Sequence, residues 1–273
     1  MISLFLFMLL GLVQGILEWL PVSSEGQILF LGTLFGVNDQ SLLLSVAFWL
    51  HFGTMAAVLI LFRKEWSIIL DIRNPDGNAM RSFLIYTTIG TAITGIPIKL
   101  LLLDLLSGPE FGLIIMLILG IALIITGVML KVQQASLSGD RLLDQLTVKE
   151  SLLIGMAQGF TIIPGVSRSG TTVTALLYAD LDGDSAFRGS FFMSVPAVLG
   201  AIGLDVLDYI RGSSDIIVLS QPIGILIAIA IAAILGIITM KALISFAKNV
   251  DFSNIVLVLA AIVLIYTLIL LLF

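Results

Sequence analysis

Two stretches of this chain hold side chains that could do chemistry: QGILEWLPVSSEGQ, Gln14 to Gln27, and PGVSRSGTT, Pro164 to Thr172. In the second, Arg168 follows a Pro-Gly turn. It sits among the hydroxyls of Ser167, Ser169 and Thr172 and the small Gly170, at what reads as a helix start. Free backbone N–H groups, a planar guanidinium fork and hydroxyl donors together suit a phosphate. In the first stretch, Glu18 is the matching acid. It could act as a general base, or as an oxygen ligand for a divalent cation such as Mg²⁺ or Ca²⁺. Ser24 becomes a nucleophile if a neighbouring base takes its proton, and the adjacent Glu25 is a candidate for that base. Structural alternatives stand beside these readings: Arg168 pairs with Glu18 or Glu25 to staple two segments, and Ser23 and Ser24 cap a helix.

The elements that must carry these residues are membrane elements. Of the 273 residues, 59% are hydrophobic and 11% charged, too much apolar surface for one water-soluble core to hide. No charge-rich or Pro/Ser-rich linker marks off a second unit, so one domain spanning 1–273 is expected. The absence of cysteine excludes disulfides, thiolate metal sites and a Cys nucleophile. The apolar N-terminus lacks a basic leader region and a small-residue cleavage site, so no removable signal peptide is expected.

Six charge-poor runs are long enough to cross about 30 Å of hydrocarbon: Ser41–Phe62, Ser82–Leu103, Phe111–Leu130, Gly189–Leu207, Ile216–Met240 and Phe252–Phe273. Met1–Phe35 and Ser151–Tyr178 differ, because polar residues and a proline break each near its middle. Their arms, roughly 10 to 17 residues at about 1.5 Å each, reach only part-way across. A re-entrant hairpin with its tip facing protein or a wet cavity satisfies that pattern; an ordinary span plus an interfacial loop is the alternative.

The two broken regions also align with each other. Without gaps, Gln14-Gly15 matches Gln158-Gly159, Val22-Ser23 matches Val166-Ser167 and Gly26 matches Gly170. Three predicted spans lie between the copies, and an odd number reverses the second. The expected fold is therefore an all-α integral membrane protein of six transmembrane helices plus two re-entrant helical hairpins in an inverted-topology repeat. The first copy occupies 1–130 and the second 149–273. Arg63, Lys64, Arg73, Arg81, Lys131, Arg141, Lys149, Arg188, Lys241 and Lys248 fall on one side and only Arg211 on the other. This positive-inside bias places both termini outside a plasma membrane.

Arg168 is the one arginine expected at membrane depth, where a lone guanidinium costs at least about 2.5 kcal/mol, so an anionic partner is required. His51, the only histidine, is expected to make a helix–helix hydrogen bond outside both polar tips. Lys99 should snorkel to the outer interface, and Asp205 and Asp208 should face solvent or the mouth of the site.

QGILEWLPVSSEGQ and PGVSRSGTT together resemble the two signature regions of the bacitracin-resistance undecaprenyl-diphosphatase family. HFGTMAAVL, from His51, and SFFMSVPAVLGA, from Ser190, are similar to further segments of that family. The resemblance implies a membrane-embedded phosphatase that removes the terminal phosphate of a C55 polyprenyl diphosphate and so recycles an envelope lipid carrier. Carried across by position, it implies a catalytic Glu18, the serine pair Ser23 and Ser24, and phosphate-binding Ser167, Arg168 and Thr172. Gln14 stands at the family's other acidic position. Gln27 stands where the family usually has a catalytic histidine, and an amide can donate a hydrogen bond to phosphate but cannot shuttle a proton. The partners expected are the polyprenyl diphosphate and bulk membrane lipid, with no nucleic acid; a homodimer is left open, since the sequence does not fix the oligomeric state. A second function class also fits the pattern: broken helices in an inverted repeat build secondary transporters, so a polyprenyl-phosphate carrier is the alternative.

Overall fold

Hydroxyl and carboxylate caps punctuate the chain and account for most helix starts. The computed structural model describes residues 2–106, 111–134, 139–212, 220–246 and 252–272. Among the described residues the structure is helical, with no strand beyond an isolated bridge between Arg141 and Leu181. Ser3 caps α1 (Leu4–Leu17), Ser23 caps α2 (Ser24–Leu34) and Asp39 caps α3 (Gln40–Leu61). The short α4 (Arg63–Leu70) precedes α5 (Asn78–Leu106) and α6 (Phe111–Gln134). Thr147 caps α7 (Val148–Gly159), Ser167 caps α8 (Arg168–Tyr178) and Asp182 caps α9 (Gly183–Ile210). The chain ends with α10 (Pro222–Phe246) and α11 (Phe252–Leu272). Each side-chain cap satisfies a backbone N–H that the helix cannot.

Five stretches are long and apolar enough to cross a membrane: Gln40–Leu61, Pro75–Leu101, Gly183–Ile210, Pro222–Ala242 and Ser253–Leu271. The chain is therefore a multi-pass, all-helical membrane protein. The expected segment Phe111–Leu130 forms α6, whose described apolar part, Met116–Met129, is shorter than those five. α9 begins six residues ahead of the expected Gly189, because Asp182 supplies a cap that hydropathy does not register. α10 starts at Pro222, a residue suited to a first helical position. The start expected at Ile216 and the end expected at Phe273 lie outside the described residues, as does Lys248. Pro97 and Pro196 sit inside α5 and α9.

The two broken regions each fold as a pair of short helices in contact, α1 with α2 and α7 with α8. α1 lies along α10 and α7 lies along α5, while α3 packs against α9 and α10 and α6 against α11. Small residues permit the close crossings. A methyl group at Gly155 of α7 would overlap the backbone carbonyl of Thr87 on α5, and one at Gly11 of α1 would meet the backbone of Ala228 on α10. Gly155→Ala is therefore expected to lower stability by about 1–3 kcal/mol, read as a lower melting temperature in detergent. Gly203→Ala, where an added Cβ meets nothing within 4 Å, should show no loss. Equal melting of the two variants would refute the tight α5–α7 crossing.

At the polar end of the second pair, Glu150 completes a capping box with Thr147 and accepts two hydrogen bonds from Arg141, which also donates to Ala179 O at 2.8 Å. Arg141 first, and then the Thr147 backbone and hydroxyl, hold the Glu150 carboxyl down at about 2. A depressed carboxyl stabilises the fold above its ordinary value of 4.5 and loses that contribution as the pH falls towards about 2.

Candidate active site

The break between α1 and α2 is made by Glu18–Ser23 and ends on Ser23, whose φ of 56° is left-handed. A non-glycine residue pays of order 1–3 kcal/mol for such a conformation. In return the chain reverses so that Ser23 Oγ accepts from Gly26 N at 3.3 Å and Ser24 opens the helix. The second break turns at Gly165, with φ 96°, a value that suits only glycine. Its new helix begins when Ser167 Oγ accepts from Gly170 N at 3.2 Å. The tips touch directly: Ser169 Oγ donates to Leu20 O at 2.8 Å, and a Cβ built on Gly170 would lie 3.1 Å from that of Pro21.

Glu18 is the hub. One carboxylate oxygen pairs with Arg168 Nη2 from the other tip. The second accepts from Ser24 Oγ at 2.7 Å and Gln14 Nε2 at 2.8 Å, and lies 3.3 Å from His51 Nε2. Arg168 Nη1 reaches Ser190 O at 3.4 Å, while its Nε is buried without a partner. Trp19 holds the hub in register: its ring meets Phe191 edge-on, with centroids 5.3 Å apart, and its Nε1 donates to Gly236 O at 3.0 Å.

Glu18, Ser23, Ser24, Glu25, Ser167, Arg168 and Ser169 line one partly open cavity. His51 and Phe48 of α3, Thr91 and Gly95 of α5, Gln158 of α7 and Ala197, Val198 and Ala201 of α9 complete much of the wall. The first turns of α2 and α8 both contribute to it, so two helix N-termini with their unsatisfied N–H groups border the same space as a guanidinium. That combination has the charge and donors that suit an anion.

Not every expected contact faces the cavity. Gln14 is fully buried behind Glu18. Gln27 lies one turn beyond Ser23 and folds back to donate to Val22 O at 3.3 Å. Thr172, one turn beyond Arg168, points at α9 and shares a 2.6 Å hydrogen bond with Ser190 Oγ. Gly170 lies against Pro21. Helical periodicity explains Gln27 and Thr172: residues four apart stack along one stripe, and the stripe leaves the cavity after its first turn.

His51 corrects the sequence reading, which placed it outside the polar tips. Its Nδ1 does bond within the helix, to Ala47 O at 2.6 Å, but its Nε2 reaches Glu18. Which stripe of α3 faces the end of α1 cannot be read from one sequence. Ser190 and Thr126, which meets Ser167 N at 3.4 Å, were equally hidden. Lys99 pairs with Asp208 at 2.8 Å, and Asp205 accepts from Trp49 Nε1 at 3.0 Å, so both aspartates are held by a residue of a neighbouring helix.

The donor set does not fit a cation held by the protein. Both Glu18 oxygens are taken by donors, one of them a guanidinium, and no group of three or more His, Cys, Asp or Glu among the described residues is placed to hold a metal.

Residues 7–265 match the family described as bacitracin resistance protein BacA. The chain is 41% identical over 247 residues to a protein of Methanothrix thermoacetophila named undecaprenyl-diphosphatase, covering 90% of each chain. Proteins of the same name from Methanopyrus kandleri, 34% identical over 96% of each chain, and Haloarcula marismortui, 37% identical over 89% of this chain and 90% of the other, are also similar.

Proposed function

Because the chain belongs to the bacitracin resistance protein BacA family, we propose that it is a membrane phosphatase that hydrolyses an undecaprenyl-type polyprenyl diphosphate to the monophosphate, recycling an envelope lipid carrier. The observation that carries this reading is the chain of contacts from Ser24 Oγ through the Glu18 carboxylate to Arg168, assembled from two hairpin tips on one cavity wall.

Arg168, Ser167, Ser169, Ser23 and the free N–H groups of α2 and α8 hold the terminal phosphate. Glu18 Oε2 takes the proton of Ser24 Oγ, which attacks the terminal phosphorus. The bridging P–O bond breaks, and the polyprenyl monophosphate leaves with the electron pair. Water then cleaves the phosphoserine, giving inorganic phosphate and restoring Ser24. Positioning and charge neutralisation supply most of the acceleration in such transfers. Glu25, a cavity-lining residue with one buried carboxylate oxygen unpartnered, is the group we assign to orient that water.

The finer architecture is part of the same proposal: six spans and two re-entrant hairpins, with an inverted repeat of 1–130 and 149–273 in a plasma membrane and both termini outside. Its support lies in the packing. α1 on α10 mirrors α7 on α5, and the glycines that allow the two crossings, Gly11 and Gly15 against Gly155 and Gly159, occupy matching positions in the two copies. The carrier alternative finds no support in the relatives' names.

Purified protein given undecaprenyl diphosphate, with and without Mg²⁺ or Ca²⁺, is expected to release one inorganic phosphate per diphosphate. Headgroup translocation in sealed vesicles without phosphate release would overturn the assignment.

A further inference from the structure

The chain's sole histidine sits on α3, on neither hairpin, yet it completes the polar shell of Glu18. Its Nε2 lies 3.3 Å from Glu18 Oε2, the oxygen that accepts from Ser24 Oγ at 2.7 Å, and its ring lines the cavity. The other ring nitrogen, Nδ1, is 2.6 Å from Ala47 O. A carbonyl oxygen only accepts, so Nδ1 carries a hydrogen and Nε2 is the nitrogen free to exchange a proton. That nitrogen faces the one carboxylate oxygen that also touches the nucleophile. Gln27, by contrast, has neither a titrating group nor a place on the cavity wall.

We propose that Ser24, Glu18 and His51 form a proton relay, with His51 acting through Glu18 as the store for the proton that Ser24 gives up. The proposal rests on the phosphatase reading. As the Ser24 Oγ–P bond forms and the bridging P–O bond breaks, the hydroxyl proton moves to Glu18 Oε2 and on to His51 Nε2. When water attacks the phosphoserine, its hydroxyl stays on phosphorus and its proton enters the relay, Ser24 Oγ takes one proton back, and the proton that remains on the relay leaves with the inorganic phosphate, so that Glu18 and His51 return to their starting states. Imidazole is the side chain whose ordinary chemistry covers neutral pH, which a carboxylate alone does not.

The groups facing His51 are few. Glu18 is in contact, Arg168 is paired to the far oxygen of Glu18, and Glu25 shares the cavity wall. From α9, Asp205 approaches α3 but is bonded to Trp49. α10, which crosses α3 where Gly53 meets Ile229, carries its only ionisable residue, Lys241, about three turns further on.

The test compares wild type, His51→Gln and His51→Ala for phosphate release from undecaprenyl diphosphate across pH 5 to 9, and for binding of a non-hydrolysable methylene analogue. The relay predicts that His51→Gln loses about 100-fold in kcat, with analogue affinity within about threefold. Wild-type kcat should rise with pH as an imidazole loses its proton, and that limb should vanish in the variant. Added imidazole should restore part of the activity of His51→Ala. Wild-type turnover and pH dependence in His51→Gln would overturn the relay while leaving the phosphatase reading intact. Loss of analogue binding in both variants without imidazole rescue would make His51 a structural prop and also overturn it. A wild type that releases no phosphate would bring down the phosphatase reading, and the relay with it.

Discussion

Arg168→Lys is expected to lower kcat/KM by about a thousandfold, roughly 4 kcal/mol, although it conserves the charge. The guanidinium does several things at once: Nη2 pairs with Glu18, Nη1 reaches Ser190 O, and the group lines the cavity with its Nε still unpartnered. A planar fork can span these directions together, whereas an ammonium is a compact point charge on a flexible stem. Lysine must choose between Glu18 and the incoming anion. If it chooses the anion, a carboxylate whose side chain is only 2% exposed loses its partner, and breaking a buried pair typically costs 3–5 kcal/mol. The loss should appear mainly as weaker binding of the methylene analogue. Wild-type affinity and turnover in Arg168→Lys would remove Arg168 from the site.

Glu18→Gln should be as damaging with the opposite signature. Glutamine keeps the volume and can still accept from Arg168, so the tips should stay together. It cannot take the Ser24 proton, and its amide NH₂ would face the donors Ser24 and Gln14, which now meet a carboxylate oxygen. We expect kcat to fall by about a thousandfold, within the range for a lost general base. Analogue binding should be unchanged or tighter, because a negative charge beside the phosphate has gone. Weakened binding with kcat preserved would show that Glu18 only staples the hairpins. Together the two variants separate the group that holds the anion from the group that moves the proton.

Much of this site was legible because polar residues in an apolar chain are conspicuous. Glu18, Ser24 and Arg168 stand out at the breaks in hydropathy, and the structure brings them into contact. The helix starts at both breaks were legible for a similar reason, since hydroxyls ahead of a helical run are a local cap signal: of the pair Ser23 and Ser24 the first caps while the second opens the helix, and Ser167 caps the helix that begins at Arg168. Rotation about a helix axis was not legible. Thr172 and Gln27 carry suitable groups but face away from the cavity, while His51 and Ser190 reach the Glu18–Arg168 region from helices whose sequences look like ordinary spans. Hydropathy locates a span without fixing which stripe meets which neighbour. The amphipathic α4 and the extra turns of α9 escaped for another reason: both are polar or capped at their ends, and a window tuned to hydrocarbon thickness discards such residues.

The central claim, that the two broken hairpins meet tip to tip, can be tested without reference to catalysis. The chain has no cysteine, so a Pro21→Cys/Gly170→Cys pair has no background. A Cβ at residue 170 would lie 3.1 Å from that of residue 21, close to the 3.5–4.5 Å typical of disulfides. Mild oxidation of the purified double variant is expected to form an intramolecular disulfide that protects both thiols from alkylation until a reductant is added. Two thiols that stay free and alkylate fully under the same oxidation would mean that the tips are apart, and the shared site of Glu18 and Arg168 would not exist.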